Sequence, residues 1–207
     1  MKTIKAYRQI NEALQALDNG GRFYNLFTKA DDGEITAAEL GKVAGVFSDR
    51  QKMVLFLEMA LSEFDAQQTE AVISKLDEQL QEAYHTYQPS TMKPAQAMQE
   101  AAASTYAILE GTPYHTESKS DFGGFIMVPI STGDVTTFTM IPIIDAYDVY
   151  DMKTEGDSDS VVIAHAKTNK KLPQVPMKIG GIFKEMKADK KGEGPANIFL
   201  EGIYRLA

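Results

Sequence analysis

The 207-residue sequence contains no cysteine, and this absence removes several classes of chemistry. Without thiols the chain has no disulfides, no thiolate nucleophile and no cysteine-ligated zinc or iron–sulfur site. The only histidines are His85, His115 and His165, and their spacing matches no zinc-binding pattern. GxSxG, P-loop and dinucleotide-binding motifs are also absent. We therefore predict no cofactor and no metal site, and the sequence identifies no catalytic residue.

The sequence also lacks a long apolar run. Its longest apolar cluster, Met53–Leu61, is interrupted by Glu58 and is far shorter than a membrane span. The first 17 residues alternate charged and apolar positions at helical spacing, without the apolar core of a secretory signal. We expect a cytoplasmic protein that does not enter membranes.

Basic residues are in the minority and are concentrated in one segment. The net charge is −8, yet residues 160–191 contain eight lysines against Glu185 and Asp189. The preceding segment, residues 134–159, has seven acids and only Lys153 as a base. The chain is thus an acidic protein with one local basic segment.

Apolar residues recur at three- and four-residue spacing through the first 110 residues, as in amphipathic helices. The clearest stripe runs from Thr69 to Tyr87, and a last one runs from Met98 through Tyr106 to Leu109. Capping-box patterns at residues 36–39 and 48–51 open two further helices, the first with Phe47 on its apolar side. Residues 1–111 are predicted to form a bundle of five or six helices.

The apolar period changes to two in the second half of the sequence. Residues 112–121 are polar and are predicted to be a linker, and residues 122–207 contain five strand-like segments separated by turn-like ones. Gly180 and Gly181 predict a bulge or sharp bend. The fold class is therefore α+β: a helical bundle followed by a five-stranded antiparallel sheet or small barrel, which is similar to an OB barrel in element order only.

The segment DAYDVYD places three acids, Asp145, Asp148 and Asp151, at every third position. On a strand Asp145 and Asp151 share a face but lie about 20 Å apart, while Asp148 points to the opposite face. One ion cannot bind all three. We interpret the segment as a strand end whose acids project into solvent and block edge-to-edge association.

Two other acidic segments resemble calcium ligands weakly. Residues 28–39 match the EF-hand loop at Asp32, Gly33 and Glu39, but Thr28 and Ala30 replace two expected carboxylates. The simpler interpretation is a turn before a capped helix. The acidic turn at residues 155–159 is interpreted as solvated.

The basic segment is the strongest functional lead in the sequence. Small barrels bind single-stranded nucleic acid by combining a basic groove with aromatic side chains on which bases stack. The candidate residues of the β half are Lys167, Lys170, Lys171, Lys178 and Lys184, with Tyr147, Tyr150 and Phe183 as candidate aromatics. The opposing interpretation is that these lysines pair with the acidic strand or keep the sheet edges soluble.

These observations leave three hypotheses from different classes. The leading one is a non-enzymatic interaction module that binds a protein partner of unknown process. The first alternative is single-stranded nucleic-acid binding by the lysine-rich β domain, and the second is a ligand or catalytic pocket between the two halves. A salt-dependent affinity would favour nucleic acid, whereas an exposed apolar surface would favour a protein partner.

Overall fold

A computed structural model describes residues 1–18, 32–116, 125–132, 135–156, 159–168, 170–186 and 197–206. Its contacts divide the chain into two units. The helical unit contains Thr3–Ser90 and residues 206–207, and the barrel unit contains Met1–Lys2 and Thr91–Arg205.

The chain begins with a three-residue strand, β1 (Lys2–Ile4), and continues into the helices of the helical unit. These are α1 (Ile10–Leu17), α2 (Ala37–Ala44), α3 (Arg50–Ala60), α4 (Ala66–Ile73) and α5 (Glu78–Thr86). The last four each begin after a side chain that accepts a hydrogen bond from a backbone N–H of the first turn. These N-caps are Thr36, Asp49, Asp65 and Asp77.

One of the two predicted capping boxes is confirmed. The hydroxyl of Thr36 accepts from the Glu39 N–H, and the Glu39 carboxylate accepts from the Thr36 N–H at 2.9 Å. The box predicted at residues 48–51 is wrong. There the cap is Asp49, whose carboxylate accepts from the Lys52 N–H at 3.0 Å. Asp is as good an N-cap as Ser, so a helix that starts one residue later is capped equally well.

Helix α3 is the centre of the helical unit and packs against α2 and α5. Its buried residues cover most of its circumference, as its sequence predicts; they are Met53, Val54, Leu55, Phe56, Leu57, Met59 and Ala60. A parallel bridge between Ile35 and Leu76 joins the segment before α2 to the segment before α5.

The second half of the chain mixes strands with two short helices. In order they are β2 (Ser90–Met92), α6 (Pro94–Glu100), β3 (Tyr106–His115), β4 (Phe125–Thr132), β5 (Val135–Pro142), α7 (Ile143–Ala146), β6 (Tyr147–Lys153), β7 (Ser160–Ala166), β8 (Met177–Met186) and β9 (Asn197–Leu206).

Five of these strands close a barrel in the order β3-β6-β7-β9-β8 and back to β3. Four of the five neighbouring pairs are antiparallel, and β7 and β9 run parallel, with Val162 opposite Phe199. β1 and β2 extend the barrel sheet, and β4 pairs with β5 in a separate two-stranded sheet.

The barrel interior is filled by apolar side chains that the alternation of each strand turns inward. Each strand contributes at least one fully buried residue to this cluster: Leu109, Met152, Ile163, Phe183 and Leu200. Met92 from β2 and Ala97 from α6 belong to the same cluster. The barrel is therefore a packed core and not a channel.

The prediction of an α+β chain with a β-barrel is confirmed, but two finer predictions are wrong. The sheet is mixed. β8 pairs with β3 and not with β7, and β9, which follows β8, pairs with β7 in the parallel direction. The helices are not confined to an N-terminal bundle, because α6 and α7 lie among the strands of the second half.

By their contacts the two units divide after Ser90, and the domain boundary after Gly111 stays a prediction. Helix α6 ends at Glu100 because Ala101 is extended, and Ser104 takes a φ of 68° before β3 starts. Tyr106, predicted as helical, and residues 112–115, predicted as linker, both belong to β3. Residues 117–121 lie outside the described part of the chain.

None of the helices in the described ranges has the length and apolar character needed to cross a membrane.

The predicted bulge at Gly180–Gly181 is confirmed, since the β8–β9 register shifts between these two residues. A Cβ atom at Gly181 would overlap the backbone carbonyl of Glu201. We expect Gly181→Ala to lower the free energy of unfolding by about 2–3 kcal/mol. The reason is that neither β8 nor β9 can move away from the other without breaking the hydrogen bonds that close the barrel. Urea denaturation measures this loss.

The control for that variant is Gly156→Ala. Gly156 has a φ of 81° and no atom within 4 Å of an added Cβ, so it tests backbone strain without steric overlap. We expect a loss of about 1–2 kcal/mol there. Equal losses in the two variants would contradict the close approach of β8 to β9.

Candidate functional site

A fully exposed phenylalanine, Phe47, lies in the turn between α2 and α3. Helix α2 ends at Gly45, which has a φ of 75° and donates a hydrogen bond to the Gly41 carbonyl. Two residues after Phe47, Asp49 caps α3 and its carboxylate pairs with the Lys52 ammonium at 3.3 Å. The backbone is therefore held on both sides of an aromatic side chain that contacts solvent on all sides.

Phe47 was predicted to lie on the apolar side of α2 with Leu40 and Ala44. Those two side chains are buried, but the left-handed conformation of Gly45 ends the helix before Phe47. The glycine is the sequence signal that separates Phe47 from the stripe, because Gly at this position commonly ends a helix.

A groove of about 570 Å³ opens beside this turn, between the start of α3 and the end of α5. Its lining begins at Ser48 and ends at Tyr87, whose ring is partly exposed. The Arg50 guanidinium donates a hydrogen bond to the Gln79 side-chain carbonyl within it. We refer to Phe47, Ser48, Arg50, Gln79 and Tyr87 as the Phe47 surface.

A second cleft of about 470 Å³ in the helical unit is lined by charged residues of both signs. Lys5 and Arg8 face Glu12 and Glu63 there, and the Arg8 N–H donates to the Glu12 carboxylate at 3.4 Å. Two cations and two carboxylates compensate one another, so this cleft offers a ligand no excess charge.

The barrel unit has a buried polar cluster at one end, formed by Asp148 and Tyr150 on β6 and His165 on β7. Asp148 lies opposite His165 in the antiparallel register, and the His165 ring stacks on Tyr150 with centroids 5.7 Å apart. The connection that follows β7 closes over them. The Thr168 N–H donates to the Asp148 carboxylate at 2.9 Å, and the Leu172 N–H donates to the Tyr150 hydroxyl at 3.0 Å. We refer to Asp148, Tyr150 and His165 as the barrel-end cluster.

The environment of His165 in this cluster favours the neutral form of its ring. Its Nδ1 lies 2.9 Å from the Ala166 carbonyl, and its buried Nε2 makes no hydrogen bond to the described residues. Burial lowers the pKa of His165 below its ordinary value of 6.5, and the bond to Ala166 and the Asp148 charge oppose that shift. The positive charges of Arg205 and the terminal amine reinforce the lowering.

Three of the five candidate lysines lie on the connection between β7 and β8. Lys167, Lys170 and Lys171 are all exposed there. The Lys167 ammonium donates to the Ile144 carbonyl at 3.0 Å, and the Lys171 ammonium lies 3.3 Å from His115 Nδ1.

The other two candidate lysines are ion-paired on the barrel strands. Lys178 pairs with Glu110 at 2.8 Å, and Lys184 pairs with Glu201 at 2.6 Å. The five lysines therefore do not form one uninterrupted cationic track. Lys187, Lys190 and Lys191 fall outside the described residues.

The candidate aromatics also divide into two groups. Tyr150 and Phe183 are fully buried inside the barrel, so their rings offer no face on which a base can stack. Tyr147 is half-buried, and its hydroxyl donates to the Glu201 carboxylate at 3.0 Å. Burial and the nearby Glu201 charge raise the pKa of Tyr147.

The three acids of DAYDVYD lie in different environments. Asp145 belongs to the short helix α7, and Asp151 is half-buried on β6. Asp148 faces the opposite side of β6, as predicted, but that side is the barrel interior, where Asp148 is buried. The expectation that all three acids project into solvent is wrong for Asp148, because the Thr168 amide replaces water as its hydrogen-bond donor.

Among the described residues, no group of three His, Asp or Glu side chains is arranged to hold a metal ion. Of the EF-like segment, Thr28 and Ala30 lie outside the described residues. Asp32 accepts from the Glu34 N–H at 3.1 Å, which is a local turn, and Glu39 is engaged in its capping box.

No protein-family model matches this sequence, and no curated protein shows significant similarity to it.

The barrel-end cluster predicts how stability depends on pH. Because the pKa of His165 is lowered in the folded chain, the unfolded chain takes up the proton first as the pH falls. The stabilising effect of the neutral ring is complete above about pH 6.5 and is lost below it, by at most about 1.4 kcal/mol per pH unit. His165→Phe retains a ring beside Tyr150 and removes the titration, so we expect a flatter pH dependence.

Urea denaturation at a series of pH values from about 7 to about 5 measures this difference. His85→Gln is the control, because it removes a histidine from α5 and leaves the barrel-end cluster intact. If His165→Phe loses stability in acid as steeply as the unmodified chain, His165 is not the group that binds the proton.

Proposed function

We propose that this protein is a non-enzymatic interaction module that binds a protein partner through the Phe47 surface. The observation that carries the proposal is the full exposure of Phe47 in a turn whose backbone is fixed by helix caps on both sides. Binding of another molecule that removes this side chain from water lowers the free energy of the complex.

Phe47 would act as the single apolar anchor of such an interface. Burying a phenylalanine side chain contributes about 1.5–3 kcal/mol, and an aromatic anchor of this kind is typical of interface hot spots. Because the turn is already ordered, little backbone entropy is lost on binding. An isolated exposed apolar residue is common on protein surfaces, but here a groove that also includes Tyr87 begins at the next residue, Ser48.

The lining of the groove favours binding over catalysis. Arg50 is engaged with Gln79, and the Thr86 hydroxyl donates to the Glu82 carbonyl at 2.7 Å. Such groups form the polar rim that surrounds an apolar contact in protein interfaces. The partner that fits has an apolar pocket for Phe47 and hydrogen-bonding groups at its edge.

Phe47→Ser tests the proposal, because it removes the anchor without disturbing the core. The melting temperature should stay unchanged, since Phe47 makes no buried contact to lose. The tagged chain and the variant are used to capture partners from the native lysate, and captured proteins are quantified by mass spectrometry. A partner bound through this surface should be depleted about tenfold or more in the variant.

Met98→Ser is the matched control. Met98 is also a large exposed apolar residue, but it lies on α6 in the barrel unit. A partner retained by Met98→Ser and lost by Phe47→Ser supports the Phe47 surface. If the captured proteins are the same for the unmodified chain and both variants, the proposal is wrong.

A second candidate function comes from the barrel, which we infer to be OB-like. If β3, β6, β7, β8 and β9 are numbered one to five, the order around the barrel is 1-2-3-5-4 with the third and fifth strands parallel. This order supports an OB-like Greek-key barrel. OB barrels bind oligonucleotides on the second and third strands and on the loops between strands one and two and between strands four and five.

The exposed candidate lysines, Lys167, Lys170 and Lys171, follow the third strand, β7, and lie on the connection between strands three and four, which is not one of the two loops named above. They contribute to nucleic-acid binding only if the surface of the third strand continues onto this connection. Their replacement by glutamine should weaken binding of a labelled single-stranded oligonucleotide and reduce the slope of log affinity against log salt by about 2. The measurement is fluorescence anisotropy on the full chain at several salt concentrations.

The control variant replaces Lys5, Lys42 and Lys75, which are exposed lysines of the helical unit. It changes the net charge by the same amount and should leave the salt slope unchanged. Absence of binding at low salt, or equal effects of the two triple variants, would exclude the nucleic-acid function for these lysines.

A further inference from the structure

The hairpin of β4 and β5 is a two-stranded sheet of its own. Each of its strands has an outer edge at which another strand can pair. The register runs from Phe125 opposite Pro142 to Thr132 opposite Val135. Within the described part of the chain, neither strand pairs with the barrel strands. Each strand of such a ribbon therefore has a row of backbone N–H and C=O groups directed away from its partner.

The short loop fixes which groups lie on those edges. Only two residues separate Thr132 from Val135, and the residues that flank a two-residue hairpin loop exchange both backbone hydrogen bonds. Hydrogen-bonded and non-hydrogen-bonded pairs alternate from there along the register. The pair of Pro129 and Phe138 is consequently non-hydrogen-bonded, and their backbone groups point outward.

This assignment makes the two edges unequal. Proline has no backbone N–H, so the outer edge of β4 lacks a donor at its centre and cannot continue a ladder there. On β5 the outward groups belong to Thr136, Phe138 and Met140, each of which has both a donor and an acceptor. The β5 edge is therefore competent to pair with a further strand.

Charges that usually protect such an edge are missing. Residues 122–144 contain a single charged side chain, Asp134, although the whole chain has a net charge of −8. Natural edge strands are normally protected by lysines, prolines or bulges against pairing with other chains. β5 contains no lysine, and its one proline, Pro142, is its last residue.

The sequence of β5 is complementary to itself in the antiparallel direction. With Phe138 opposite its own copy, Thr137 meets Thr139, Thr136 meets Met140 and Val135 meets Ile141. Threonine pairs and pairs of β-branched residues favour cross-strand packing, and this register opposes no like charges. The three outward-facing residues, Thr136, Phe138 and Met140, would all fall in hydrogen-bonded pairs.

We propose that β5 pairs with β5 of a second copy of this chain about a two-fold axis at Phe138, which gives a four-stranded sheet. In this register Val135 of each copy lies opposite Ile141, so the two Val135 residues, which end the uncharged paired segment, are about 20 Å apart at 3.3 Å per residue. That separation exceeds the screening length of about 8 Å at physiological salt. The repulsion expected from an acidic chain is thus small at this edge.

The same geometry limits the assembly to two copies. A two-fold interface uses the same surface on both chains and leaves no free copy of it. The outer strands of the four-stranded sheet are the two β4 strands, where Pro129 interrupts further pairing. This self-association does not depend on the proposed function, since the Phe47 surface belongs to the helical unit.

A charge-swap experiment on the full chain tests the register. One variant carries Thr137→Lys and Thr139→Lys, and the other carries Thr137→Glu and Thr139→Glu. In the proposed dimer residue 137 of one copy faces residue 139 of the other, so each variant alone opposes like charges. We expect the dissociation constant of either homodimer to rise about tenfold. An equimolar mixture opposes Lys to Glu and should recover the affinity of the unmodified chain.

Sedimentation velocity across the micromolar range measures the three affinities. Recovery in the mixture identifies the interface even if single variants are less stable, because a misfolded variant would not be rescued by its partner. A monomeric unmodified chain, variants that dimerise as well as the unmodified chain, an unrecovered mixture or open-ended assemblies would each overturn the proposal.

Discussion

Pairing of β8 on both of its edges is the constraint on which the barrel unit depends. β8 pairs with β3 on one side and with β9 on the other, and this closes a five-stranded sheet on itself. The bulge at Gly180–Gly181 lets β8 approach the Glu201 carbonyl more closely than any side chain allows. Because the other four pairs of this five-stranded barrel are antiparallel, β7 and β9 run in the same direction and pair in parallel. Barrel closure also removes the edges that these strands would otherwise have.

Closure creates a second requirement at the end of the barrel, where strand alternation turns Asp148 and His165 inward. A buried carboxylate is tolerated only with hydrogen bonds, and here the donor comes from the connection after β7. The Tyr150 hydroxyl accepts from the same connection, so two backbone amides hold it against the strands. The described residues of this connection contain no helix, yet two of their backbone amides are held by side chains of β6. The DAYDVYD segment thus contributes to the barrel end through Asp148, whose carboxylate holds the connection after β7.

The sequence predicted what depends on local periodicity. An apolar stripe identified α3, the Thr36–Glu39 pattern identified a capped helix, and the period of two identified a β half. The stripe from Thr69 to Tyr87 predicted one helix and is wrong in that respect, because α4 ends at Ile73 and Asp77 caps a separate helix, α5. What depends on long-range pairing was missed, since nothing local to β7 or β9 encodes their parallel contact. Tyr106 and Leu109 fit a helical stripe as well as a strand, and the extended Ala101 decides between them. For the candidate site, the sequence located the lysines but could not show the ion pairs of Lys178 and Lys184 to Glu110 and Glu201, because both carboxylates come from other strands.

The fold separates the residues that stabilise it from the residues left for binding. Tyr150 and Phe183 are buried in the barrel interior, and Lys178 and Lys184 form ion pairs. Phe47 is different, because Gly45 ends α2 before the helix can turn that ring toward the core. The β5 edge is different for a comparable reason, since pairing with β4 uses only alternate backbone groups of β5 and directs the others away from β4. In both places a local backbone constraint, rather than a deficit of core-forming residues, leaves groups without a partner among the described residues. Surfaces of that origin are where intermolecular contacts form at the lowest entropic cost, because the groups that bind are already ordered.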